Sequence, residues 1–288
     1  MRIKAQLIIL FAISSLVVSG QNKIQGYVLD KHTNKPLSYA IVSEVHQKYG
    51  SYSDTTGLFK MLFQNINDSL KVSSIGYNSI NICIQDLQKN ATILLEASPL
   101  HLGEIIVKPS GKKLQEMEIG FFTKKTNLST AMLYPVNLKA VFIPSQKVDG
   151  IILIKSIKFL YVTTDGGSPL RVRVLKAKNN GDPGEDLVSE NLIINEAKNG
   201  KKLVANIDIS KANIYMPKDG VFIVFEWIMD KSLAKTNVKE GIPGPYIEAV
   251  KSNIETSQWI NDLNSSKWTK IQSRSTLSVG LIVVYYSK

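Results

Sequence analysis

Alternating apolar and polar residues, the pattern of half-buried β-strands, recur along most of this chain. In the first third the alternating runs are short, and turn residues separate them roughly every 8–12 positions. Strands are predicted at residues 24–29, 40–42, 58–62, 70–75, 80–84, 92–95 and 103–107. Short strands of this number and spacing predict a β-sandwich of about seven strands.

The turn at residues 54–57 organises this first domain. Asp54 opens the turn, since an aspartate carboxylate can accept a hydrogen bond from the amide two residues further on. Gly57 closes it, where the backbone commonly needs φ > 0 and a side chain would be strained. Both residues are therefore predicted to shape the turn rather than to carry chemistry.

A second and larger all-β domain is predicted over residues 131–288. Its apolar runs at 151–162 and 221–228 are longer, and polar loops such as 179–186 separate the strands. About eight strands joined by long loops predict a jelly-roll-like β-sandwich. Residues 108–130 begin with Lys, Pro, Ser and Gly, a composition typical of a boundary, and are predicted to be the linker after the first domain (22–107).

The first twenty residues have the pattern of a secretory signal peptide. Arg2 and Lys4 precede an apolar core at 7–18, and small residues follow, so cleavage is expected after Gly20. The core is shorter than the about 20 residues of a membrane span, although an uncleaved anchor is the alternative. No later segment is long and apolar enough to span a membrane. The expected destination is the periplasm, the outer-membrane surface or the outside of the cell.

Composition and charge narrow the functional classes. Hydrophobic residues make up 44% of the chain and charged residues 20%, which is typical of a globular protein with real cores. The formal net charge is +11, but the lysines are scattered and no basic, aromatic-interleaved motif occurs, so no nucleic-acid partner is expected. The single cysteine, Cys83, is predicted to be a small apolar residue within a strand.

An ordered set of motifs resembles the carboxypeptidase regulatory-like domain. The motifs are Ile24-x-Gly26-x-Val28-x-Asp30, Lys35-Pro36-Leu37-x-x-Ala40-x-Val42, Ser53-Asp54-x-x-Gly57-x-Phe59, Ser74-Ile75-Gly76-Tyr77 and Leu102-x-Glu104-Ile105-x-Val107. The resemblance implies a transthyretin-like sandwich, common in exported proteins of Bacteroidota and often placed at the front of TonB-dependent outer-membrane receptors. The rest of this chain is too short for a receptor's plug and barrel, so it resembles the front module alone. The second domain resembles, more loosely, jelly-roll domains of uncharacterised exported Bacteroidota proteins.

Metal chemistry has two candidate sites. His101 and Glu104 have the spacing of two zinc ligands, but a catalytic zinc needs three, and no histidine follows His101. Asp182, Glu185 and Asp186 cluster in one loop and could hold calcium, although the loop lacks the spacing of a calcium hand and acidic turns are commonly just solvated. Neither catalytic residues nor cofactors are predicted.

Aromatic and acidic residues of the second domain support two further hypotheses. Tyr246, Trp259 and Trp268 could form a platform for sugar rings, whereas Trp227 lies in a very apolar strand and is predicted to be core. Glu226 and Asp230 are the pair to consider for carboxylate-assisted glycan hydrolysis. The leading hypothesis is an exported, non-enzymatic binding or assembly protein whose partner is an envelope protein or a glycan. A carbohydrate-binding protein is the alternative, and a glycan-active hydrolase is the third.

The export hypothesis has a direct test. Protein recovered from the cell envelope should begin within about two residues of Gln21, because signal peptidase removes the leader. N-terminal sequencing of that fraction measures the start. A cytoplasmic protein that still begins at Met1 would contradict export.

Overall fold

The structure is a computed structural model that describes residues 22–46, 50–63, 65–87, 91–98, 113–131, 137–148, 150–162, 169–194, 201–228, 245–262 and 267–287. Regular structure in these residues is almost entirely β, which confirms the all-β class predicted from sequence. None of the described helices is long and apolar enough to cross a lipid bilayer. The predicted signal peptide, His101, Glu104 and Asp230 lie outside the described residues.

The first domain (domain 1, described between residues 22 and 98) is a sandwich of two small sheets. Its elements are β1 (Asn22–Asp30), β2 (Ile41–Glu44), β3 (Gly50–Tyr52), β4 (Leu58–Phe63), β5 (Ser69–Ser73), β6 (Ile80–Cys83), α1 (Ile84–Leu87) and β7 (Thr92–Leu95). One sheet has the strand order β4-β1-β7 and the other β3-β2-β5-β6. β1 is antiparallel to β4 and parallel to β7.

The core of domain 1 lies between these two sheets. Alternate residues of β1 and β4 point inward, and facing residues of β2 and β5 complete the cluster. Ile24 and Met61 are register partners on adjacent strands, and both are buried. A fully buried large apolar side chain stabilises a fold by about 1.5–3 kcal/mol. Burial of these alternating side chains therefore favours packing of the two sheets against each other.

Motif residues far apart in sequence bond to one another in domain 1. The Asp30 carboxylate ends β1 and accepts hydrogen bonds from the amides of His32 and Thr33 at 2.9 and 2.7 Å. Its second oxygen accepts the Tyr77 hydroxyl at 2.9 Å. The Thr33 amide is the largest influence, and with these other donors it outweighs burial and lowers the pKa of Asp30 to about 2. Asp30 therefore ties the loop after β1 to the turn after β5.

The turn at residues 54–57 is closed by one carboxylate and one glycine. Asp54 Oδ1 accepts the Thr56 amide at 2.8 Å and the Leu58 amide at 3.0 Å. Gly57 has φ of +79°, and a Cβ there would lie 2.7 Å from the Val28 carbonyl oxygen. The β3–β4 turn thus packs directly on β1, and both its backbone shape and its close approach require glycine.

The second domain (domain 2, described from residue 113) is built on one large sheet. Its elements are β8 (Lys113–Gly120), β9 (Leu128–Ala131), β10 (Asn137–Pro144), β11 (Ile152–Val162), β12 (Leu170–Ala177), β13 (Pro183–Asp186), β14 (Leu192–Ile194), β15 (Lys202–Asp208), a 3-10 turn (Ser210–Ala212), β16 (Gly220–Trp227), β17 (Tyr246–Asp262), β18 (Thr269–Leu277) and β19 (Val279–Ser287). The main path runs β13-β12-β16-β10-β17-β11-β19-β8, with β14, β15, β18 and β9 pairing beside it.

This sheet folds over onto itself around a main core, and a smaller apolar cluster lies on the other face of β10 and β16. The 17-residue β17 pairs with β11 near its start and with β10 near its end, so it joins the two halves. Phe159 of β11 meets Phe225 of β16 across the core, with ring centroids 4.9 Å apart. The result is sandwich-like, as the sequence predicts. Every residue of β16 is buried, so this strand is covered on both faces.

Residues 113–131 differ from the linker that the sequence predicts. They form β8, which pairs with β19, and β9, which pairs with β17. The sequence pattern of β8 is weak because only Ile119 is buried and the other side chains of the strand are mostly exposed and polar. Backbone pairing to β19, rather than an apolar face, therefore places this strand.

A buried carboxylate holds β9 in place. Glu248 of β17 is 2% exposed, and its oxygens accept hydrogen bonds from Ser129 and Thr126. Lys202 of β15 bonds to the same carboxylate. Burial alone would raise the pKa of Glu248. The hydrogen bonds from Lys202 and the two hydroxyls have the opposite and larger combined effect, so the pKa of Glu248 is lowered. This cluster joins three strands at one edge of domain 2.

The close approach at Gly57 predicts a large cost for a side chain there. Gly57→Val should destabilise the protein by about 1–3 kcal/mol, because φ would be strained and Cβ would meet the Val28 oxygen. Asp54→Ala should cost ~0.5–1.5 kcal/mol through lost hydrogen bonding to the turn. Chemical unfolding of the full chain measures both.

Gly181→Val is the matched control for this test. Gly181 has a similar φ of +82°, but a Cβ there would meet no atom within 4 Å. The difference between the two valine variants therefore isolates the contact with β1. Equal losses for the two variants would show that the close approach contributes nothing.

Candidate functional site

A buried ion pair lies where domain 1 meets domain 2. Arg171 of β12 and Glu226 of β16 are direct cross-strand partners, 1% and 0% exposed. Arg171 Nη1 donates to the two carboxylate oxygens of Glu226 at 3.3 and 3.2 Å. Both side chains lie on the face opposite the main core, since their neighbours Leu170, Val172, Phe225 and Trp227 point into that core. Charges this deeply buried need partners that replace water.

Domain 1 supplies those partners. The Tyr52 hydroxyl donates to Glu226 Oε1 at 2.9 Å, and Arg171 Nη2 donates to the Tyr39 carbonyl oxygen at 2.5 Å. The Arg171 guanidinium also lies 5.9 Å from the centroid of the Tyr52 ring. Burial, followed by the negative charge of Glu226, raises the pKa of Tyr52 well above its usual value. The hydroxyl therefore stays protonated and remains a donor.

The backbone at Tyr39 is shaped for this contact. Its φ is +59°, a left-handed value that is uncommon outside glycine. Two residues later β2 begins, so the turn at Ser38 and Tyr39 lies at the end of the β3-β2-β5-β6 sheet. The carbonyl that it presents binds Arg171 whatever the side chain at this position is.

A second ion pair extends the network outward. Arg173 donates to Asp186 through Nε at 2.9 Å and Nη2 at 2.6 Å, a bidentate pair. Its Nη1 lies 3.9 Å from Glu226 Oε2. Burial lowers the pKa of Arg173, but the carboxylates of Asp186 and Glu226 outweigh it, so the net shift is upward. Two arginines and two carboxylates thus balance one another on this face.

The rim of the junction is close-packed. Asn191 Nδ2 donates to the Ser38 carbonyl oxygen at 3.4 Å. Gly76 has φ of +79°, and a Cβ there would lie 3.0 Å from the Ser189 carbonyl oxygen. The glycine of the Ser74–Tyr77 motif therefore permits both its own turn and the approach of domain 2. The junction therefore combines polar contacts at the buried ion pair with contacts at its rim.

The hydrolase hypothesis assigns Glu226 a different role from the one its contacts indicate. Its two oxygens already accept bonds from Arg171 and Tyr52, and the side chain is 0% exposed. In this arrangement the carboxylate has no contact with solvent. Its predicted partner Asp230 is outside the described residues.

The three aromatic residues predicted as a sugar platform do not form one strip. Trp259 is 6% exposed and packs edge-on against Phe222 with ring centroids 4.8 Å apart. Trp268 packs against the same small cluster but stays half-buried. Tyr246 lies at the opposite end of β17 from Trp259. Only Trp268 and Tyr246 retain exposure, and they are separated along the domain.

The three acidic side chains predicted to bind calcium make separate contacts and do not all point to one side. Asp186 binds Arg173 through both oxygens, and Asp182 accepts a hydrogen bond from Asn180 at 2.8 Å. Glu185 and Asp186 are consecutive in β13, so their side chains point to opposite faces. Within the described ranges, no group of three or more His, Cys, Asp and Glu side chains is arranged to hold a metal ion. Asp186 is therefore engaged by an arginine rather than free to join Asp182 and Glu185.

The remaining candidates of domain 1 are spread apart. His46 bonds to Asp68 at 2.9 Å, and His32 lies 3.8 Å from Glu96. Cys83 is a half-buried free thiol in β6.

Sequence reasoning missed the junction although it noted some of the residues. Arg171 and Arg173 share one face of a strand, and Glu226 is the lone charge in the apolar run of β16. A single charge in such a run indicates a buried partner, and that signal could have paired Glu226 with one of the arginines. Nothing in the sequence points to Tyr39 or Tyr52.

The buried pair predicts strong coupling in stability. Arg171→Met should cost about 3–5 kcal/mol, because it leaves Glu226 buried without its cation. The double variant Arg171→Met with Glu226→Leu should recover most of that loss. Urea unfolding gives the two free energies. A double variant as unstable as the sum of its parts would contradict coupling.

Tyr52→Phe isolates the contribution of domain 1. It keeps the ring but removes a hydrogen bond to a charged group, which costs about 1.5–3 kcal/mol. Tyr27→Phe, at an exposed tyrosine of the same domain, is the control and should change little. The raised folded pKa of Tyr52 means that its contribution is full below about pH 10 and is lost as pH rises through the folded value. Tyr52→Phe should remove that alkaline loss.

Comparisons with known proteins give a family for domain 1 and weak structural likenesses for the whole chain. No curated protein matches the chain. The cysteine protease and lectin-like domains of Cwp84, a surface layer associated protein of Clostridium difficile, align at 12% identity and a TM-score of 0.34, over 93% of this chain and 63% of that one. The present chain therefore spans less than two thirds of that structure's length.

Two further solved structures show similarly low scores. A DUF3823 family protein from Parabacteroides merdae aligns at 8% identity and a TM-score of 0.20, over 89% of this chain and 98% of that one. The VP2 protein of infectious bursal disease virus aligns at 9% identity and a TM-score of 0.28, over 92% and 57%. Scores below 0.5 do not establish a shared fold. The firm assignment is that residues 24–107 match the family model of the CarboxypepD_reg-like domain.

Proposed function

We propose that this chain is an exported, non-enzymatic binding or assembly protein of the bacterial cell envelope. In this proposal the CarboxypepD_reg-like domain is held in a fixed orientation on domain 2, and the two together form one binding body. The observation that carries the proposal is the junction, where Tyr52 and the Tyr39 carbonyl complete the buried Arg171–Glu226 pair.

A fixed junction favours binding because the two domains lose less orientational freedom when a partner binds both of them. Two domains on a flexible tether would lose orientational freedom on binding a common partner, and that loss weakens affinity. Here Arg171 and Glu226 fix the orientation beforehand. Surfaces of domain 1 and domain 2 are then presented at a constant distance, which suits assembly with an envelope component.

The residues that would support an enzyme are engaged in structure. Glu226 is bonded to Arg171 and Tyr52, and Glu248 is bonded to Lys202 and two hydroxyls. A general acid or nucleophile needs access to substrate, and these buried carboxylates have none in this arrangement. The envelope location rests on the sequence pattern of residues 1–20 and on the resemblance to modules of TonB-dependent receptors of Bacteroidota.

Carbohydrate binding is the second candidate, and one observation favours it. Trp268 is half-buried beside Trp259, so one aromatic face remains for a sugar ring. A single exposed aromatic gives a smaller contact than the platform that the sequence predicts. Binding to an envelope protein is therefore preferred over a glycan.

Native envelope extracts test the proposal. The wild-type protein should elute in a complex larger than the exported chain alone, and Arg171→Met should reduce that complex while export continues. Elution as a monomer, together with hydrolysis products from a glycan panel, would overturn it in favour of the hydrolase.

A glycan array separates the second candidate. Saturable binding that Trp268→Ala abolishes and Ile271→Ala, at an exposed position of β18, leaves intact would favour a glycan over a protein partner.

A further inference from the structure

The outer face of the β4-β1-β7 sheet of domain 1 is unusually apolar. We call it the Tyr27 face. It is defined by the residues of the three strands that alternate with the core-facing ones: Lys23, Gln25, Tyr27, Leu29, Leu58, Lys60, Leu62, Thr92 and Leu94.

Its apolar residues are adjacent and open to solvent. Tyr27 is 46% exposed, Leu94 43% and Leu62 39%. The register places Tyr27 beside Leu58 on β4, and Leu29 beside Leu94 on β7. These four apolar side chains, of which Leu29 and Leu58 are half-buried, form one patch across three strands, and Lys60 separates Leu62 from it. A contiguous exposed patch of this kind marks an interaction surface more often than scattered apolar residues do.

The charge on the Tyr27 face has one sign. Lys23 and Lys60 are exposed, and none of the nine positions of the face is acidic. Lys31, near the end of β1, is instead balanced by Glu96 at 3.2 Å. Lys60 on β4 is the register partner of Gln25, and Lys23 lies two residues before Gln25 on β1. A partner would therefore meet two cations beside the apolar patch. Complementarity calls for apolar and acidic groups on that partner.

The described residues of domain 2 bond to a different part of domain 1. Its described contacts with domain 1 fall on Ser38, Tyr39, Tyr52 and Gly76, which belong to the other sheet and its turns. The core of domain 1 separates the two sheets. The Tyr27 face therefore points away from the junction while its orientation relative to domain 2 stays fixed.

We infer that the Tyr27 face is the docking surface for a partner protein that presents apolar side chains together with Asp or Glu. This inference rests on the proposed binding function and names the surface and partner chemistry. A second copy of the chain is disfavoured, because a two-fold contact through this face would bring two positively charged faces together. A lipid surface would have to accommodate Lys60, which lies between Leu58 and Leu62 on β4.

Site-specific photo-crosslinking in cells that make the protein tests the inference. A photoreactive residue is placed at Leu94 or Leu62, with Asn81 on the outer face of the other sheet as the matched control and Ile271 as a position on domain 2. Support requires adducts from Leu94 and Leu62 but not from Asn81. The crosslinked segment, sequenced by mass spectrometry, must contain apolar residues together with Asp or Glu.

Charge reversal supplies a second readout. Lys23→Glu with Lys60→Glu should reduce the adduct at least tenfold, whereas Lys113→Glu with Lys176→Glu, two exposed lysines of domain 2, should leave it unchanged. Thermal unfolding shows whether both pairs remain folded. If the Lys23/Lys60 pair unfolds, 1 M salt replaces it and should reduce the wild-type adduct, because screening weakens exposed charges.

The outcomes separate this inference from the proposed function. Adducts at Ile271 alone would overturn the Tyr27 face and leave the binding function standing. No adduct at any position would overturn both. An adduct with lipid, with a second copy of the chain or with a segment lacking Asp and Glu would overturn the inferred partner.

Discussion

The fold of this protein depends on a charge pair that neither domain can keep buried alone. Arg171 and Glu226 both belong to domain 2, yet a hydroxyl and a carbonyl of domain 1 hydrogen-bond to them. A buried ion pair gains little net stability over an apolar pair, but removing a partner from one is costly. The contribution of domain 1 is therefore to supply polar partners to charges that are buried in domain 2. The second pair, Arg173 and Asp186, keeps the surrounding charge balanced.

The sequence was most informative where interactions between residues close in the chain determine the structure. Alternation predicted most of the strands that the structure describes in domain 1, while the predicted strand at 103–107 lies outside the described residues. The turn chemistry of Asp54 and Gly57 is decided within a few residues. The motif residues of domain 1 were recognised as a set, and the structure supplies the reason that they occur together: Asp30 bonds to Tyr77, and the backbone at Gly57 packs on Val28 and Pro36. The all-β architecture of both domains follows from the same alternation.

Prediction was weakest where structure depends on contacts distant in sequence. β8 has little apolar character, and its place is set by β19, which lies at the other end of domain 2. The contact between Tyr52 and Glu226 joins residues 174 positions apart, and nothing local to either residue encodes it. The calcium and sugar hypotheses used residue type and spacing, but Arg173 engages Asp186 and Phe222 covers Trp259. Arg173 lies on the strand that pairs with that of Asp186, whereas Phe222 and Trp259 lie on strands separated by β10, and the sequence specifies neither arrangement.

The contact at Tyr39 has a consequence for how such domains could be exchanged in evolution. A backbone carbonyl is present in every residue, so this half of the docking is encoded by the shape of a turn and survives any substitution that keeps φ positive. The other half depends on a single hydroxyl at position 52. A foreign sandwich domain with the same turn and a tyrosine at that one strand position would satisfy Arg171 and Glu226 equally well. Recombination of modules would then need that tyrosine, the turn and a residue as small as Gly76 at the rim, rather than a wholly new interface.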